Sequence, residues 1–445
     1  MYRFPQNLYA DIRIEDVFST TIRYENSTLR QNAVSREKGA FLRVYDGKRW
    51  YYSAVTDLSS IQAELDALAA MATPNSRILL DPVVQRFEVN QEERLLYASR
   101  SVKNITAEEK RALAEAYLSV PESISCCSNY SVRYLDNYTE KQFFSSLGAA
   151  LHFDYQQASI VIGYTFSAGS APFSGQRNLY RQQFTELSGQ QKFFQELLNR
   201  DLFYAEHAVP VQPGNYTCVL SPSVAGVFAH ESFGHKSEAD LMLGSEAMQK
   251  EWTIGARVGA DILNIYDTGI PEGAGYVPYD DEGTRARKTA LIRNGQLAGR
   301  LHSAETAAVL DEAITGNARA VSFEFEPIVR MTGTYIDAGT ETFEQLLAPV
   351  QEGIFIETFR HGSGMSTFTI APETAYMIRN GKLAEPVKIS VITGNVMQTL
   401  HEIDGLSRDA QLISPSTGGC GKMEQYPLRV AFGGPYVRVR NMYVQ

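Results

Sequence analysis

The chain has 445 residues, of which 44% are hydrophobic and 21% charged, and it carries a formal net charge of −10. Such a length is more than one hydrophobic core serves, so two domains are expected. The acidic balance, without a long Lys/Arg cluster, removes the usual electrostatic support for nucleic-acid binding; no apolar run is long enough to cross a bilayer. Residues 1–7 have no apolar leader pattern, and four cysteines are no disulfide framework, so a cytoplasmic protein is expected.

Residues 8–55 alternate polar and apolar, and 44–52 read as a hairpin with a two-residue turn at Asp46-Gly47. Residues 59–72 have helical spacing. Thr106-Ala107-Glu108-Glu109 is a capping box that opens a helix to about residue 120. Four strands of a meander follow at 131–138, 141–146, 151–155 and 159–166, then an amphipathic helix over 183–206. The segment Val209-Pro210-Val211-Gln212-Pro213-Gly214 breaks the pattern, which puts a domain boundary between 208 and 209. A strand at 216–220 leads to Ser221-Pro222, a helix cap followed by proline at the first helical position.

Beyond about residue 255 the pattern is mostly strand, with short helices near 303–310, 342–348 and 396–403. Asn294-Gly295 and Asn380-Gly381 each predict a hairpin turn with positive φ at both residues, in one large antiparallel sheet. The expected fold is therefore α+β with two domains. The first, 1–208, has antiparallel strands and helices; the second, 209–445, is mostly antiparallel β.

The helix opened by Ser221 runs into His230-Glu231-Ser232-Phe233-Gly234-His235. Two imidazoles and a carboxylate in this span suit hydrolytic metal chemistry: neutral imidazoles as ligands, the glutamate to take a proton from water. In an ideal α-helix residues i and i+4 point within about 40° of each other, but i and i+5 diverge by about 140°. The motif works only if the helix carries an extra residue, so a π-type or irregular turn is predicted across 232–234, with Gly234 as the residue that tolerates the distortion. The alternative at this point is a helix with one buried, hydrogen-bonded histidine and one surface histidine. Cys218 reads as a core residue; Cys420, in Ser416-Thr417-Gly418-Gly419-Cys420-Gly421-Lys422, has no apolar neighbours to bury it.

Five segments occur in an order that resembles the TldD/PmbA metallopeptidases: the histidine motif with Glu238 and Asp240 after it; Asp280-Asp281-Glu282-Gly283-Thr284 leading to the Asn294-Gly295 hairpin; Arg330-Met331-Thr332-Gly333-Thr334-Tyr335; the Asn380-Gly381 hairpin with Pro386 and Gly394-Asn395; and Gly419-Cys420-Gly421-Lys422. The resemblance is to the metal-bearing, TldD-like side of that family. It implies a zinc ion held by His230, His235 and Cys420, with Glu231 as general base. It also implies a homodimer or a heterodimer with a related subunit, enclosing a chamber for unstructured peptides. The segment from His361 to Phe368 and the one after Cys420 depart from the family pattern, which bears on substrate preference.

Glu238, three residues past His235, is expected to hold an imidazole by hydrogen bonding. Asp281 stands either in an acidic cluster supporting the site or in a solvated turn. A substrate bound in extended form along a sheet edge suits the abundance of strand and of tyrosine. Two other classes stay open: a non-catalytic adaptor subunit, and a cysteine hydrolase with Cys420 as nucleophile.

Overall fold

The computed structural model describes residues 2–169 and 171–445. A seven-stranded sheet organises the N-terminal half, in the order Trp50–Val55, Thr28–Tyr45, Tyr9–Glu25, Cys127–Ser145, Ala150–Phe166; Gln91–Arg94 and Phe173–Arg181 both pair with Ala150–Phe166, at different stretches of it. Side chains alternate along each strand. Ile12, Ile14 and Leu42 therefore share a face with Leu65 and Leu68 of the helix Ile61–Met71. Ile22, Val132 and Ile160 meet the helices Ala107–Glu115 and Gln191–His207 through Leu113, Phe194 and Leu198. Fully burying each such aliphatic or aromatic side chain stabilises the fold by about 1.5–3 kcal/mol. Asp11, Arg13 and Glu15 take the opposite face, and they too are buried, because the C-terminal half covers it.

In the C-terminal half, five strands close into a ring: Glu352–Gly364, Gly214–Leu220, Val437–Val444, Ile392–Asn395 and Thr367–Arg379, the last pairing back to the first. A separate six-stranded sheet runs Gln296–Leu297, Lys288–Arg293, Ile265–Thr268, Gly333–Ile336, Ala431–Gly434, Gln411–Ile413. The pairings are mostly antiparallel, but Gly333–Ile336 with Ala431–Gly434, Gly214–Leu220 with Glu352–Gly364, and Lys382–Lys388 with Val209–Pro210 are parallel. The helix Pro222–Ala229 packs between sheet and ring. Its approach is close: a Cβ on Gly226 would lie 2.4 Å from the Gly433 nitrogen.

Several expected boundaries move. The four strands expected over 131–166 are two long ones, Cys127–Ser145 and Ala150–Phe166. Their polar middles suggest breaks but face a buried polar surface; Gln156, for example, accepts from Val102 N at 3.1 Å and donates to Gln182 O at 2.7 Å. The turn at Asp46-Gly47 is longer than two residues, since Tyr45 pairs with Trp50 and Asp46 Oδ1 accepts from the nitrogens of Lys48 and Arg49. The capping box at Thr106 forms, but its helix ends at Glu115. The 183–206 helix starts only at Gln191, after Gly189 turns the chain at φ +71°. Both Asn-Gly turns have positive φ at each residue, as expected, yet they lie in two different sheets.

Candidate metal centre

Ser221 caps the site helix. Its hydroxyl accepts from Val224 N at 3.3 Å and donates to Glu357 O at 2.7 Å, fixing the helix start to the strand Glu352–Gly364. The α-helix ends at Ala229, His230–Gly234 form a π-helical turn, and His235–Ser237 tighten to a 3₁₀ turn. The wider π turn swings His235 back to the side of His230, and the two rings sit 5.1 Å apart at 79°. Gly234 is needed for another reason than flexibility. Its backbone is ordinary right-handed helix, φ −57° and ψ −51°, but a Cβ there would fall 2.1 Å from the Met331 sulfur.

Cys420 meets the two histidines from the far end of the chain. One ligand atom from each of His230, His235 and Cys420 lies within 4.8 Å of the others, and Cys420 Sγ is 3.5 Å from His235 Nε2. Contrary to its sequence surroundings, Cys420 is buried, at 5% exposure. It opens a short hairpin, Cys420–Lys422 with Gln425–Leu428, that is clamped from below. Arg330, fully buried, donates to Cys420 O at 2.7 Å and to Gln425 O at 3.3 Å. Lys422 extends from the same hairpin to Glu238 Oε2 at 3.0 Å and Asp240 Oδ1 at 2.6 Å. Glu238 in turn faces His235 Nδ1 at 3.3 Å. Nε2 of the same ring faces the Cys420 sulfur, so the carboxylate and the cysteine hold this imidazole between them.

The electrostatics favour a thiolate beside a positively charged imidazole. Burial alone would raise the Cys420 thiol, but hydrogen bonding and charge from His230 and His235 bring it down to about 5. Burial would lower His235, and the partners Cys420 and Glu238 instead push it up to about 10. Glu238 is held below the ordinary carboxyl range because His235 and Lys422 outweigh its burial. His230 Nδ1 is buried without a hydrogen-bond partner. Two imidazoles with a thiolate are a donor set that fits zinc.

Residues 213–445 match the PmbA/TldA metallopeptidase C-terminal domain, and residues 10–73 match PmbA/TldA metallopeptidase domain 1. A metalloprotease of Synechocystis sp. is 31% identical, over 98% of this chain and 94% of its own length. The chain belongs to the TldD/PmbA family. A relative from Saccharolobus solfataricus, 26% identical over 98% of this chain and 96% of its own, is named a zinc metalloprotease TldD homolog. TldE from Thermococcus kodakarensis shares the fold, with a TM-score of 0.75 at 15% identity over 98% of this chain and 96% of that one.

Within this TldD/PmbA chain, Glu231 lies half-buried in the wall of a cavity of about 920 Å³, alongside His230 and Cys420. Burial raises its carboxyl, and the two histidines pull the other way. His361 lines the same cavity and is exposed, on the strand Glu352–Gly364. Glu238 lies against the His235 imidazole, at 3.3 Å from Nδ1. Asp281 does neither of the things expected. It is buried, accepts from Lys141 Nζ at 2.7 Å and Ala320 N at 2.7 Å, and faces Arg13 at 3.8 Å. Its neighbour Glu282 pairs with Arg43 at 3.1 Å. This acidic turn joins the two halves and touches none of the three candidate ligands. Arg330 and Lys422 are the site residues that sequence reasoning passed over. Both stand in the segments that carry the family resemblance, but nothing in their local spacing says which carbonyl or carboxylate they reach.

Proposed function

We propose that the chain is a zinc-dependent peptidase, with His230, His235 and Cys420 holding the metal and Glu231 as general base. One observation carries this reading: three ligand-type atoms within 4.8 Å of one another and an uncommitted carboxylate share a cavity large enough for a peptide segment. The relatives named metalloprotease and zinc metalloprotease support the same chemistry. Zinc, when bound, supplies Lewis acidity toward the scissile carbonyl and lowers the pKa of water.

Glu231 follows His230 in sequence but leaves the helix at a different angle, so it can reach a water in the cavity without displacing a ligand. It takes the proton of the attacking water and returns it to the leaving amine. Glu238 fixes the ring of His235, and Lys422 keeps Glu238 ionised and ties it to the hairpin of Cys420. The strand Phe173–Arg181 pairs only with Ala150–Phe166 among the described strands, and residues 174–178 line the cavity. That unpaired edge suits a substrate bound in extended form, through backbone hydrogen bonds that read little sequence.

The division at 208/209 belongs to this reading, with the first half as a platform and the second carrying the chemistry. A related TldE-like chain or a second copy completes the chamber, and the setting is the cytoplasm. No helix among the described residues is long and apolar enough to cross a membrane. The test is zinc content and peptide hydrolysis on native protein, Cys420→Ala and Glu231→Gln. Stoichiometric zinc lost only in Cys420→Ala, with activity lost in both, supports the assignments. Native protein that binds no zinc, or binds it and cuts nothing with a partner subunit added, favours the adaptor. Hydrolysis that survives chelation favours a Cys420 nucleophile.

A further inference from the structure

A second cavity, of about 490 Å³, adjoins the first and shares residues 416–418 with it as a common wall. It lies on the polar face of the N-terminal sheet. Two acidic side chains line it, Glu15 and Asp281, against four basic ones, Arg133, Lys141, Arg319 and Arg429. The acids are already committed, since both face Lys141 and Arg13. The three arginines other than Arg13 have no carboxylate partner among the described residues.

Each of the three makes only neutral contacts. Arg319, 6% exposed, gives Nη2 to Arg429 O at 2.8 Å and Nη1 to Met331 O. Arg133 gives Nη2 to Gln176 Oε1, and its buried Nε has no partner. Arg429 donates to Tyr180 OH at 2.9 Å and leaves Nε and Nη1 unpartnered. Burial, with a second guanidinium nearby, pulls Arg133 and Arg319 below the ordinary arginine range, although Asp281 and Asp267 act on Arg319 in the opposite direction. Uncompensated buried charge is costly, and a guanidinium fork matches a carboxylate. Gln176 connects the sites, for it lines the metal cavity while accepting from Arg133.

We propose that the cavity lined by Arg133, Arg319 and Arg429 is a carboxylate-binding subsite for the peptide substrate. The inference rests on the peptidase reading. The carboxylate comes either from an Asp or Glu side chain or from the peptide's C-terminus. Arg133 and Arg429 supply buried donors that no protein acceptor takes. Arg319, held by two backbone carbonyls, supplies charge from beneath.

The test is equilibrium binding of a fluorescein-labelled peptide to metal-loaded, full-length Glu231→Gln protein, which does not turn it over. The peptide is made in four forms: two glutamates or two glutamines, each as free acid or C-terminal amide. The glutamine amide is expected to bind about tenfold more weakly than the form that supplies the recognised carboxylate. Loss on amidation alone names the C-terminus, and loss on Glu-to-Gln exchange alone names the side chain. Adding Arg133→Gln or Arg429→Gln removes the difference between the carboxylate and amide forms. Arg133→Gln leaves the carbonyl contacts of Arg319 intact, so one variant stays interpretable if the other misfolds. Equal binding of all four forms, no binding of any, or discrimination that survives both substitutions overturns the subsite. Hydrolysis of the same peptides by the native protein is scored separately. Discrimination in binding with no cleavage sinks the peptidase reading and leaves the carboxylate site standing.

Discussion

Two of this chain's clusters of buried charge are built for opposite ends. At the junction of the halves, Arg13, Glu15, Lys141, Asp281, Arg43 and Glu282 neutralise one another, with contacts from 2.7 to 3.8 Å. Around Cys420, the chain of Lys422, Glu238 and His235 ends on the cysteine sulfur, 3.5 Å from His235 Nε2, beside a second imidazole with an unpartnered nitrogen. The first cluster is closed and holds structure together. The second is left open on the side of a cavity, the condition a cation and a substrate need. Buried charge alone does not mark a functional site; the acids of the junction looked as suggestive in sequence as Glu238.

Removing an element from one cluster and not the other should separate the two roles. The largest effect is expected for Cys420→Ala, which should empty the metal site, read as the loss of stoichiometric zinc by elemental analysis while thermal unfolding stays cooperative. Glu231→Gln should keep its zinc and lose about 10²–10⁴-fold in peptide hydrolysis, the usual contribution of a general base; unchanged kcat would remove Glu231 from the mechanism. At the junction, Lys141→Met should destabilise the fold by about 3–5 kcal/mol, because it strands buried Glu15 and Asp281 with one cation fewer. Denaturant unfolding measures this, and zinc content should not change.

That cost should also depend on pH in a defined sense. Burial would raise the Asp281 carboxyl, but Lys141 and Arg13 hold it at about 2, against an ordinary 3.8. Its folded value is depressed, so its contribution is present above the ordinary carboxyl range and is lost as pH falls through about 2. The gap between native and Lys141→Met protein should therefore shrink on acidification below pH about 4. A gap that widens there would mean that Asp281 is not the charge Lys141 neutralises. Glu238→Gln gives the mildest effect, a 10–100-fold loss of zinc affinity, roughly what removing a ligand's hydrogen-bond partner costs. Competition with a chelator reads it.

The sequence by itself determined what is decided within a few residues. The Ser221-Pro222 helix start, the Asn-Gly turns and the capping box at Thr106 formed because their hydrogen bonds and dihedrals close locally. The i, i+5 spacing of His230 and His235 predicted a π turn if both rings were to meet, and that turn forms for the same reason: it is a statement about one helix. Only the tertiary structure decided the rest. Cys420 is 185 residues from His235, and its burial comes from the core around it, not from its glycine-rich neighbours. Gly234 answers to Met331, and Asp281 to Lys141 and Arg13. The breaks read into residues 131–166 failed because a polar strand residue looks like a turn until the half that covers it is in place. Periodicity reports which side chains share a face; what packs against that face is set by chain segments far away, and no local spacing encodes it.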